Sequence, residues 1–79
     1  MLGQIEDRAR AMGVVVYGVV VVRSSKEAVV LCWRRSDNTW ITWVVYRSPI
    51  GVSFEHGHYD MDHPTGRSDF EDRVEARSK

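Results

Sequence analysis

Apolar and polar residues along this chain fall into two periods. Leu2, Ile5, Ala9 and Met12 recur at helical spacing with charged residues between them, and Gly13 follows as a stop. The pattern then becomes extended. Val14–Val22 (VVVYGVVVV) holds seven valines, which lose side-chain freedom in a helix and pack well on a pleated surface. Further extended runs are predicted at Ala28–Arg34, Trp40–Arg47 and Val52–Tyr59. Between them lie the polar turn Arg23–Glu27, the Ser36-Asp37-Asn38 turn and Ser48-Pro49-Ile50-Gly51. Asn38 suits a left-handed hairpin position, and the last turn has proline second and glycine fourth.

Short turns make sequential strands antiparallel neighbours. Ser68-Asp69-Phe70-Glu71 has the form of a capping box, with Phe70 and Val74 on one face of the helix it would open. The expectation is one α+β domain over residues 1–79, ordered α-β-β-β-β-α, with a four-stranded antiparallel meander.

Split into alternating rows, three of the four strands are apolar on both sides. A sheet with one wet face alternates apolar and polar residues instead. Two helices of about ten residues are expected to cover one face, leaving the other uncovered. Self-association, a foreign partner or simple exposure each answers that surplus, and a homodimer is the expectation because it also enlarges the core. At 79 residues the chain buries only roughly 60–65% of its unfolded surface on folding.

Composition narrows the partners. Eleven basic and eleven acidic residues cancel, so no overall field attracts nucleic acid or an anionic membrane. The nine-residue valine run is far shorter than the ~20 residues a membrane helix needs, and the preceding IEDRARAM is not a basic leader. Cys32 is the lone cysteine, which excludes an intramolecular disulfide and suits a reduced, cytoplasmic setting.

Residues 54–63 (FEHGHYDMDH) raise the question of a metal. On a regular strand His56, His58 and Asp60 share one side, the histidines about 7 Å apart, and His63 can reach back. The bland alternative is a polar edge strand with Gly57 at a bulge, and that is the expectation, with no metal and no cofactor. Cys32 lies among apolar residues, where a thiol is inert packing, and the turn serines lack a nucleophile-elbow context. The chain is therefore expected to be no enzyme.

Trp33, Trp40, Trp43 and Tyr46, with Arg34, Arg35 and Arg47 around them, are the candidate interface residues. Aromatic anchors with arginines on the rim suit a protein partner, itself or an unidentified cellular protein. The same set could stack single-stranded bases, which is the alternative.

Trp40-Ile41-Thr42-Trp43, Gly57-His58-Tyr59 and Asp69-Phe70-Glu71-Asp72-Arg73 together resemble small uncharacterised proteins of actinobacteria and their phages. Those carry a W-x-T-W strand, a G-H-Y strand and a closing helix with D-F-x-x-R. The resemblance covers the second half of the chain, which differs in a longer Met61–Arg67 loop. It implies a similar fold and a phage or mobile-element origin; an accessory protein of that origin that binds, and inhibits or redirects, a host protein is the expectation for the binding module. It implies no activity and no functional residues.

Overall fold

A computed structural model describes residues 2–22 and 26–78. The elements run α1 (Leu2–Ala11), β1 (Val14–Val22), β2 (Glu27–Arg34), β3 (Thr39–Ser48), β4 (Gly51–Met61) and α2 (His63–Arg77). The strands form one open antiparallel sheet in the order β1-β2-β3-β4, so the α+β meander is as the periodicity predicts. Most of the Arg23–Glu27 turn lies outside the described residues. Gly13 (φ 77) ends α1 and Asn38 (φ 57) takes the left-handed position in the β2–β3 turn.

The helices do not share a face, and this corrects the sequence-based expectation. Ile5 and Ala9 of α1 pack with Val14, Ala28, Val30, Cys32, Ile41, Trp43 and Val45. Those residues are one alternating row of the sheet. The opposite row carries Leu31, Thr42 and Trp40, and here α2 docks: Gly66 lies against Trp40 and Leu31, and Phe70 against Gly18. Residues 28–32 and 41–45 are consequently buried without a break. Two-sided apolarity in β2 and β3 is what a sheet covered on both faces requires. The surplus greasy face is thus accounted for within the chain.

Two boundaries also move. The capping box does not open α2. Asp62 caps it instead, its carboxylate accepting the Thr65 N–H at 2.9 Å, with Pro64 in the first turn. Hydrogen bonds from Thr65 hold the Asp62 carboxyl below its ordinary range. The predicted Met61–Arg67 loop is therefore the end of β4 and the first turn of α2, and Ser68 sits inside the helix. Asp-His-Pro-Thr comes first along the chain and satisfies the helix start before Ser68 is reached. In β4, His56 (φ 53) and Asp60 (φ 60) mark two places where the register with β3 shifts.

Gly66 permits the close approach of α2: a methyl group there would lie 2.9 Å from Trp40 Cβ. Gly66→Ala is expected to destabilise by about 1–3 kcal/mol through overpacking. Gly3, also helical, has nothing within 4 Å of such a methyl, and Gly3→Ala should stabilise by up to ~1 kcal/mol. Urea denaturation of the two variants checks this; equal midpoints would contradict the docking.

Candidate functional site

Thr42 and His58 are register partners on β3 and β4, so both side chains stand on the α2 face. Above them α2 presents Asp69 and Arg73, four residues apart and hence on one side of the helix. Asp69 is the hub. Its Oδ2 accepts the Thr42 hydroxyl, and both of its oxygens lie 3.0 Å from His58 Nδ1. Arg73 Nη2 is 2.6 Å from His58 Nε2, and Arg73 Nε is 3.6 Å from Asp69.

Donor rules set the protons. A guanidinium only donates, so His58 Nε2 accepts from Arg73 while Nδ1–H donates to Asp69. Burial pushes the Asp69 carboxyl up, but the hydrogen bonds from Thr42 and His58 and the charge of Arg73 outweigh it, leaving the carboxyl below its ordinary value. Burial pulls the Arg73 guanidinium down, and Asp69 opposes that pull.

An aspartate–histidine pair is the start of a general base, but this one is closed. The Nε2 lone pair that would take a substrate proton is held by Arg73, and Thr42, the hydroxyl nearest Asp69, is fully buried and already donating. The cluster fastens α2 across β3 and β4. Among the described residues no group of three metal-ligating side chains is assembled. The two shifts in β4 explain why, because they break the alternation that would align His56, His58 and Asp60. His56 turns beside Tyr46, with ring centroids 6.1 Å apart; Asp60 pairs with Arg34 at 2.9 Å; and His63 packs on Trp40 at 4.6 Å. Burial pushes the Cys32 thiol up to about 12, which keeps it protonated and unreactive.

The candidate interface residues divide. Trp43 is 4% exposed, packs against Phe54 and donates its indole N–H to the Tyr59 hydroxyl at 3.1 Å. A methyl group on Gly57 would overlap the Tyr59 ring and the Trp43 indole nitrogen, so this strand crossing needs a bare backbone. Trp43 therefore belongs to the interior. Tyr46 is half-buried. Arg34 makes a two-pronged ion pair with Asp37, which raises its pKa and holds the Asp37 carboxyl far below the usual range. Arg35 and Arg47 are exposed.

Trp33 and Trp40 are register partners at one end of the α2 face, their rings 6.5 Å apart. Tyr17, at the one irregularity of β1, joins them at 6.3 and 5.0 Å. Beside them runs a groove of about 370 Å³ lined by Tyr17, Trp40, His63, Arg67, Phe70 and Glu71. Sequence reasoning missed Tyr17 and the partners of His58. Thr42, His58, Asp69 and Arg73 each lie in one of the three motifs noted above, and the structure brings those motifs together at one point.

Because the folded pKa of Asp69 lies below its unfolded value, its stabilisation is full above the unfolded carboxylate pKa and is lost as pH falls through the folded one. Asp69→Asn is expected to cost about 1–3 kcal/mol at neutral pH. It should also flatten the acid limb of the stability–pH curve; parallel curves for the two proteins would contradict the network. Protein made without a histidine tag is expected to hold no stoichiometric metal by elemental analysis.

Among the described residues no helix is long and apolar enough to cross a membrane. Comparison with protein-family models, with curated proteins and with solved structures gives no match.

Proposed function

We propose that this chain is a non-enzymatic protein-binding module that works as a homodimer and docks a partner protein on the aromatic end of its α2 face. The observation that carries the reading is the Tyr17–Trp33–Trp40 cluster, in which the exposed Tyr17 ring meets two half-buried tryptophan rings edge-on. Tyr17 is 61% exposed, and rigid aromatic side chains with an exposed arginine nearby are the usual anchors of protein interfaces. The polar cluster supports the same reading from the other side, since both ring nitrogens of His58 and the Thr42 hydroxyl are engaged within the fold. With Trp43 inside, the anchors reduce to Trp33 and Trp40, with Tyr17 added. The motif resemblance favours an accessory protein of phage or mobile-element origin that inhibits or redirects a host protein.

Trp40→Ala is expected to weaken capture of the partner by about tenfold or more, measured by pull-down and titration with untagged protein. His56→Ala should leave capture unchanged, and the reverse order would overturn the assignment. Trp43→Ala is expected to unfold the protein in part, at a cost of about 3–5 kcal/mol. If single-stranded oligonucleotides bind with an affinity falling steeply in salt, the aromatic end belongs to nucleic acid instead.

A further inference from the structure

The two edges of the sheet are built in opposite ways. On β4 the pairing row is interrupted twice, at His56 and Asp60, and the strand carries Glu55, His56, His58 and Asp60. Bulges and charges are the devices that keep an edge from pairing with another chain. β1 carries no charge and no proline; its one register shift falls at Tyr17, and Gly18–Val22 run in regular register with β2. Val15, Tyr17 and Val21 are 45–61% exposed along it. The five residues from Gly18 to Val22 offer an unbroken edge about 17 Å long.

We infer that β1 is the self-association edge: two copies pair β1 with β1 antiparallel, about a two-fold axis normal to the sheet, and join their sheets into one. This rests on the homodimer reading and adds where and how the copies meet. Three features select a second copy. The strand is its own chemical complement, valine against valine, which β-branched cross-strand pairs favour.

The rim is also self-complementary in charge. Arg67 and Glu71 of α2 line the groove beside Tyr17 and Gly18, at the middle of β1. A two-fold axis there reverses this acid–base pair relative to its copy, so opposite signs, not like ones, are brought towards each other.

Finally, β1 against β4 would leave another bare β1 at every step and grow a filament, whereas β1 against β1 consumes both bare edges and closes. A strand pair with its flanking grooves falls at the small end of specific interfaces, so dissociation in the micromolar range is expected.

The test uses the full chain in a concentration series, followed by light scattering and amide hydrogen exchange. A dimer is expected, with β1 amides gaining protection as concentration rises and β4 amides unchanged. Val21→Lys, at an exposed side chain, should keep the circular dichroism spectrum and weaken the dimer by about tenfold. A monomer at every concentration would overturn both this inference and the homodimer reading. A dimer whose added protection falls on β4, or which Val21→Lys leaves intact, would overturn the β1 edge alone and leave the homodimer standing. Open-ended polymers would overturn the closed pairing.

Discussion

The structure depends on two central strands that are greasy on both sides. β2 and β3 place consecutive residues in the interior, from Ala28 to Cys32 and from Ile41 to Val45. Consecutive residues of a strand point to opposite faces, so one cover cannot shelter them. A helix on each face is the least this chain can supply, and it has two. Their docking is unequal in kind. α1 packs through its buried residues Ile5 and Ala9 and leads into β1. α2 adds a polar clasp in which Asp69 links Thr42, His58 and Arg73.

That clasp also engages the most reactive-looking residues. A histidine between an aspartate and an arginine has both ring nitrogens engaged, and the neighbouring hydroxyl is committed to the same carboxylate. Half-buried carboxylates are costly unless hydrogen-bonded, and Thr42 and His58 both donate to Asp69 with the Arg73 charge beside it. Chemistry would require one of these bonds to break. Its arrangement fits a structural lock; the proposed contacts rest instead on the aromatic end and the β1 edge.

Much of the fold was legible in the chain. Helical spacing before Gly13, valine-rich extended runs and short polar turns predict every strand and both helices, and Asn38 predicts its own backbone conformation. Three features were not legible. Strand periodicity reports that a residue alternates, not which face a distant helix will cover, so the split of α1 and α2 was read as a shared face. The register shifts in β4 depend on pairing with β3, and without them His56, His58 and Asp60 look aligned. The start of α2 is ambiguous in the sequence because two capping signals, Asp62 and Ser68, lie six positions apart; the helix takes the earlier one, and Gly66 then lies against Trp40.

By itself, then, the sequence determined the number, order and polarity of the elements, because local propensity and turn chemistry act over a few residues. It also determined that both sides of the central strands need cover, since valine, leucine, isoleucine and tryptophan leave water wherever they are placed. Tertiary structure alone decided that Trp43 is interior while Trp33 and Trp40 are half-buried, that His58 hydrogen-bonds Asp69, and that the pairing shifts twice along β4 and once along β1. Those outcomes rest on contacts between residues far apart in the chain, whose geometry is set only when helices and strands are packed together.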